Sequence, residues 1–183
     1  NFIAYCKSEL EENGKNIISL RMGWKNYEII DLGVMVPPEK IIEEAIKHNV
    51  DIIGLSGLIT PSLDEMVYLA KEMDKRGIKI PIMIGGATTS KAHTAVKIAP
   101  QYKETVIHVN DASRAVTVAS SLLGKNKKSY TEEIKNDYDL FREKFLNRSK
   151  DKNFLTIEQA RENKLQLNWK EYTPNKPNFI GTK

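Results

Sequence analysis

Four stretches concentrate the side chains that could do chemistry. Glu9-Leu10-Glu11-Glu12 lies in a polar segment, 7–14, that closes on Gly14. Ser56, Thr60 and Ser62 place three hydroxyls around Gly54 and Gly57, just where an apolar run ends. Gly85-Gly86-Ala87-Thr88 and Asn110-Asp111-Ala112-Ser113 are two more turns of small or polar residues. Without a Cβ, glycine lets a flat or bulky ligand approach the main chain. This composition suits a deep slot that grips a large ligand by backbone contacts. It suits a catalytic triad poorly, because no nucleophile, base and orienting group stand out together. The phosphate-cradling patterns G-x-G-x-x-G and G-x-x-x-x-G-K-[ST] are absent. A flavin reading stays open, although the first loop lacks a Ser- and Thr-rich cradle. Of three histidines, His48 stands near a helix end, where a cation complements the dipole. His93 falls inside a helix as a surface or satisfied residue. His108, near a strand end, has only its position to connect it with a ligand, and no two histidines have metal-ligand spacing.

The elements that must position these stretches follow from periodicity. Asp51-Ile52-Ile53-Gly54-Leu55 is short, apolar and rich in β-branched residues, which predicts a central parallel strand. Further strands are expected at 2–6, 27–30, 80–84 and 105–109. Helices are expected after Pro37-Pro38, over 62–76 with Gly77 as its stop, from Thr88, Thr89 or Ser90 to about 98, and after Ser113. Pro81 is tolerable near a strand start. Strands alternating with helices predict a parallel sheet with right-handed crossovers, and the expected fold is a flavodoxin-like five-stranded α/β sheet in the order 2-1-3-4-5. Ligands of such sheets bind beyond the carboxyl ends of the strands, where the glycine and hydroxyl turns lie.

The domain expectation is a sheet domain over 1–124 and a C-terminal extension over 125–183. Within the extension, Tyr130, Ile134, Tyr138, Phe141 and Phe145 trace one helical face that should lie back on the sheet domain. A short helix over 155–163, capped by Thr156, should precede an extended strap, W-K-E-Y-T-P-N-K-P-N-F-I-G.

Composition narrows the function classes. Of 183 residues, 40% are hydrophobic and 28% charged, as expected of a soluble globular chain. No apolar run is long enough to span a bilayer, and no signal peptide is evident, so no membrane partner is expected. The net charge is +4, but much of the lysine follows residue 124 and no basic stripe is interleaved with aromatics, so no nucleic-acid partner is expected. The lone Cys6, read as a small buried thiol, suits a reducing cytoplasm. Asn1 leads straight into an apolar run, as in a fragment of something longer.

The runs D-L-G-V-M-V-P at 31–37, G-L-S-G-L-I-T-P-S-L-D-E-M at 54–66 and I-G-G-A-T-T-S-K-A-H-T-A-V-K-I at 84–98 resemble the cobalamin-binding domain of cobalamin-dependent methionine synthase. The tail is similar to the linker leading into that enzyme's reactivation domain, so the resemblance covers essentially the whole chain. It implies a cobalamin (methylcobalamin) cofactor whose nucleotide tail lies buried in a slot. It also implies methyl transfer from methyltetrahydrofolate to homocysteine, with a helical cap, substrate domains and a reactivation domain as partners. Ser56 and Thr60 resemble residues touching the nucleotide tail and corrin edge. Gly57, Gly85 and Gly86 resemble glycines that let the tail pass, with Leu58 and Ala87 beside them. Ala112 and Ser113 fall in the loop closing over the nucleotide end, and Ser62 resembles the outer member of a hydrogen-bonded group behind the cobalt ligand.

The first loop departs from the family. Its pattern D-x-H-x-x-G aligns with Glu9-Leu10-Glu11-Glu12-Asn13-Gly14, so Glu11 stands at the cobalt-binding histidine and Glu9 at the orienting aspartate. Ser8, Glu9, Glu11, Glu12 and Gly14 are the cofactor positions there, and Glu11 is the metal position. A carboxylate is a harder, anionic donor than imidazole, so no nitrogen ligand from the protein is expected. The alternatives are a corrinoid held without that ligand, by a non-catalytic carrier, store or sensor, and a remnant that has lost the cofactor. By itself the chain is not expected to turn over.

Overall fold

The computed structural model describes the backbone of residues 2–7 and, in full, residues 22–148, 154–165 and 167–182. Two compact units divide it, Asn1–Ser149 and Lys150–Lys183. The first runs well past residue 124.

In the first unit the strands are β1 (Phe2–Lys7), β2 (Glu28–Val34), β3 (Ile52–Ser56), β4 (Ile82–Gly85) and β5 (Val106–His108). The helices are α1 (Pro38–Lys47), α2 (Pro61–Lys75), α3 (Lys91–His93), α4 (Ala112–Leu123) and α5 (Lys127–Asn147). The strands pair in the order β2-β1-β3-β4-β5, and every pairing is parallel. The parallel α/β sheet expected from the alternating pattern is therefore what forms.

Strand β3 is buried along its whole length, and its side chains divide between two cores. Ile53 and Leu55 join Ile82, Ile84 and Val106 against α1 and α2. Ile52 joins Met22, Met83 and Ile107 against α4. Both faces of a central parallel strand are covered by helices, so it reads as continuous apolar sequence rather than alternation. Gly54 and Ser56 share the Ile52 face by the two-residue period. The missing side chain at Gly54 opens space on the α4 side.

Several local details depart from the expected pattern. Strand β2 runs beyond residue 30, through an Asx turn in which the Gly33 amide donates to Asp31 Oδ1 at 2.9 Å with Gly33 at φ +86°. Strand β4 starts after Pro81, whose carbonyl accepts from the Ile53 amide at 3.0 Å; the proline has no N–H to extend the ladder. The helix expected to reach 98 is α-helical only at α3, then widens into a π turn over Thr94–Ile98 and tightens into a 3-10 turn over Ala99–Gln101. Ser90 is its cap, accepting from the His93 amide at 3.1 Å.

The stripe on α5 does lie back on the sheet domain, and it covers an edge. Tyr138 is buried, and its hydroxyl accepts from the His108 amide at 2.8 Å. Thr105 donates to Thr131 at 3.2 Å, Lys135 to the Lys103 carbonyl at 2.8 Å and Arg142 to the Ala95 carbonyl at 3.0 Å. Strand β5 is the sheet edge, where an uncovered amide invites pairing with another chain. A buried amide left without an acceptor would cost about 1–3 kcal/mol. Burial pushes the Tyr138 phenol up to about 12, so it stays protonated in this role.

In the second unit the described elements are α6 (Ile157–Glu162) and an extended tail. Thr156 and Gln159 close a reciprocal capping box on α6. The rings of Trp169 and Tyr172 meet edge to face, 6.0 Å apart.

Candidate functional site

Beyond the carboxyl ends of β3, β4 and β5 lies a cavity of about 600 Å³. Its walls are short where the turns cross it, at Gly85, Gly86, Ala87 and Ala112. Deeper, Gly54 and Ala115 leave room between the sheet and α4, beside Met22, Met83 and Val109. Ser56 lines the floor.

Backbone lacing fixes the upper wall. The Gly57 amide donates to the Gly85 carbonyl at 2.9 Å, and the Thr88 amide donates to the Gly57 carbonyl at 3.2 Å. The two turns are thereby pulled into main-chain contact. A Cβ on Gly86 would sit 2.3 Å from Gly57 O and 2.5 Å from Gly57 N, and Gly86 has φ +102°. Only glycine meets both conditions. A Cβ on Gly57 would meet Met66 Cε at 3.0 Å and Thr89 Cγ2 at 3.1 Å. Gly57 is thus needed for contact between the turns, and it lies behind the cavity wall.

A second lace runs through side chains. Thr89 Oγ1 donates to the Gly86 carbonyl at 2.8 Å and lies 3.1 Å from His108 Nε2. The hydroxyl proton is committed to the carbonyl, so the imidazole must donate to Thr89 from Nε2. The neutral ring then keeps Nδ1 as an acceptor, with the Asn110 side chain near the ring. Burial pushes the His108 pKa below the ordinary histidine value, with the Asn110 side chain and the Thr89 backbone pulling the other way. Burial lowers that of His93 too, with Asp64 opposing it and Lys97 adding to it. These two rings are therefore neutral in the folded chain at pH values where an unfolded histidine, titrating near about 6.5, is already charged.

The consequence for stability has a definite sign. The folded state binds fewer protons than the unfolded state as pH drops past the unfolded pKa, so stability is full above that value and is lost below it. The midpoint of urea unfolding should stay level from pH 8 to about pH 7 and then fall towards pH 5.5, as the unfolded histidines take up protons near about 6.5. A His93→Gln/His108→Gln double variant should show a flatter profile, and an unaltered slope would refute the assignment.

The residues singled out in the sequence fall into three groups. Ser56, Gly85, Gly86, Ala87 and Ala112 come together around the cavity. Gly57, Leu58, Thr60 and Ser113 are not among its lining residues. Thr60 leads into α2 with no side-chain cap bond, and the Ser113 amide is bound by the Asp111 carboxylate at 2.7 Å. Ser62 donates to the Ile59 carbonyl at 2.8 Å and faces a different, apolar groove of about 430 Å³ near Val36, Pro37 and Met66. Ser8, Glu9, Glu11, Glu12 and Gly14, with the metal position among them, lie outside the described residues. Among the described residues, no group of three His, Cys, Asp or Glu side chains could hold a metal ion. The cavity residues to which sequence reasoning gave no part in the site are Met22, Thr89, Ser90, Lys91 and Ala115; Asn110 was named only as part of its turn, and His108 was given little weight.

A protein-family model described as the B12 binding domain matches residues 2–110. The chain belongs to this family. Two solved structures share the fold of this B12-binding chain. One, described as a novel cobalamin-binding protein from Desulfitobacterium hafniense DCB-2, superposes with a TM-score of 0.59 at 24% identity, over 67% of this chain and 59% of that one. The other, the methanol:cobalamin methyltransferase complex MtaBC from Methanosarcina barkeri, gives a TM-score of 0.61 at 20% identity, over 73% of this chain and 51% of that one. At such identities the likeness is one of fold, and the chain spans little more than half the length of either.

Membership implies a cobalamin-type cofactor, and the cavity can be tested against one. A slot of about 600 Å³ is within the ordinary range of roughly 300–1,000 Å³ for small-molecule sites. Its walls combine glycine and alanine with apolar side chains, which suits the flat heteroaromatic base of a nucleotide arm. The Ser56, Ser90 and Asn110 side chains offer polar contacts for the ribose end. These residues fit the arm of a cobalamin. Among the described residues, no helix is long and apolar enough to cross a membrane.

Proposed function

We propose that this chain is the flavodoxin-like cobalamin-carrying module of a methionine-synthase-type methyltransferase, working within a larger enzyme. The observation that carries this reading is the cavity between the β3–β5 strand ends and α4, with its Gly85-Gly86-Ala87 wall. That shape accepts a long arm inserted from the strand ends, and the lacing at Gly57 and Thr89 keeps the slot open before the ligand arrives. When bound, the corrinoid supplies the cobalt centre that takes and gives the methyl group. Ser56, Ala87 and Ala112 would contact the arm, with Gly85 and Gly86 allowing its passage. Methyltetrahydrofolate and homocysteine would bind on other domains, with a helical cap over the methyl face and a reactivation domain beyond the strap. On this reading the cofactor is carried as methylcobalamin in the cytoplasm.

Glu11 and Glu9 in the first loop favour a second reading, in which the corrinoid is carried without catalysis because carboxylates stand in the sequence where the family's cobalt-binding histidine and its aspartate would be. Titration with hydroxocobalamin and methylcobalamin, followed by gel filtration, separates the possibilities. Retention of the corrinoid with a base-off spectrum at neutral pH is the expected result. Glu9→Asp/Glu11→His should then convert that spectrum to a nitrogen-ligated one. A chain that elutes free of corrinoid would remove the cobalamin reading altogether.

A further inference from the structure

One charged side chain among the described cavity residues has no part in the reading above. Among the described residues that line it, Lys91 alone carries a side chain ionised at neutral pH, since burial keeps His108 neutral. Lys91 stands at the first position of α3, immediately after the Ser90 cap. Its ammonium is not left to wander. Asp137 of α5 holds it from both carboxylate oxygens, at 2.6 Å and 2.9 Å, and the Phe141 ring lies 5.5 Å below it. The side chain nevertheless stays 43% exposed, so the ammonium keeps N–H directions for a further acceptor. A residue wanted only for a surface ion pair needs no such double seat, and exposed pairs are worth little by themselves.

We propose that Lys91 is the anion-recognition residue of this cavity, meeting the phosphodiester of a nucleotide-bearing corrinoid while Asp137 and Phe141 position its ammonium at the rim. The inference rests on the cobalamin reading and deepens it. Among the described residues, the other lining side chains offer the arm only neutral contacts, so Lys91 is the cation they present to a phosphodiester entering the cavity. Lysine serves phosphate as a compact point charge on a flexible stem, which lets it turn from Asp137 towards the ligand without leaving the rim. Helix α5 thereby contributes to the site without touching the ligand, through the Asp137 carboxylate and the Phe141 ring.

The test compares three corrinoids on the full chain by absorbance titration: cyanocobalamin, cobinamide, which lacks the whole nucleotide, and cobinamide phosphate, which has the phosphate without the base. Lys91→Met should weaken cyanocobalamin and cobinamide phosphate by roughly tenfold each, as losing one charge-assisted contact does, and cobinamide by much less. Lys91→Arg should recover most of the loss. Asp137→Asn keeps the ammonium but loosens its seat, so it should weaken the phosphate-bearing ligands by a smaller factor. Should Lys91→Met fold poorly, the ionic-strength dependence of the unaltered chain serves instead: added salt should weaken cobinamide phosphate more than cobinamide. Equal losses for all three corrinoids, or no loss with cyanocobalamin, would overturn the role of Lys91. Failure of the unaltered chain to bind any of them would overturn the cobalamin reading itself, together with this inference.

Discussion

Gly86→Ala should lower the melting temperature by roughly 5–15 °C and abolish corrinoid binding. The added Cβ would meet Gly57 O at 2.3 Å and Gly57 N at 2.5 Å, both backbone atoms that cannot rotate away. It would also force an alanine to φ +102°. Overpacking costs about 1–3 kcal/mol and an L residue at such a φ roughly another 1 kcal/mol. Together these give about 2–4 kcal/mol, and a domain of this size loses about 2–4 °C per kcal/mol. Relief can come only by parting the two turns, which breaks the Gly57–Gly85 and Thr88–Gly57 hydrogen bonds and moves the cavity wall. Thermal unfolding and a cobalamin titration check both halves, and a variant that melts and binds like the unaltered chain would show that the turns are not in main-chain contact. Gly85→Ala is the internal comparison. Its Cβ would lie 3.4 Å from the Val109 carbonyl, an ordinary contact, so its effect on stability should be much smaller.

The contrast between these glycines shows what the sequence made legible and what it did not. Glycine and hydroxyl turns after apolar runs pointed to the end of the sheet where the cavity lies, because that inference needs only strand direction and a parallel topology. They could not divide the work among the glycines. Gly57 reads like a ligand-facing residue in sequence, yet its missing Cβ is required by Met66 and Thr89, from an element further along the chain. Thr60 and Ser62 lie within reach of the turn in sequence, but the helix that Pro61 opens carries Ser62 round towards the neighbouring groove. Contacts between distant residues were beyond reach for the same reason. The Thr89–His108 and His108–Tyr138 bonds join residues 19 and 30 positions apart, and neither has a local spacing to betray it. By contrast, the Tyr130-to-Phe145 stripe was readable because helical period is a local property, and Tyr138 is the buried member of that stripe. Lys91 gave no signal, since one lysine after a capping serine looks like any helix start.

Ala115→Phe should cost at least roughly a hundredfold in cobalamin affinity while leaving the melting temperature within a few degrees of the unaltered chain. Ala115 is 1% exposed and lines the deep end of the cavity, one turn into α4 from Ala112. A larger side chain in a filled core would cost about 1–3 kcal/mol through overpacking. Here the space beside Ala115 is the cavity itself, so a phenyl ring can occupy it and bury apolar surface against Met22, Met83 and Val109. Buried apolar area contributes roughly 25 cal/mol per Å², which offsets much of the strain. The ligand has no such compensation, because a nucleotide base cannot share the same volume as the ring. Cobinamide separates the two explanations of any loss. Without a base to insert, it should bind Ala115→Phe nearly as well as the unaltered chain if the deep end receives the arm. Equal loss of cobinamide would place the disturbance elsewhere, and unchanged cobalamin binding would mean that the arm never enters the space between the sheet and α4.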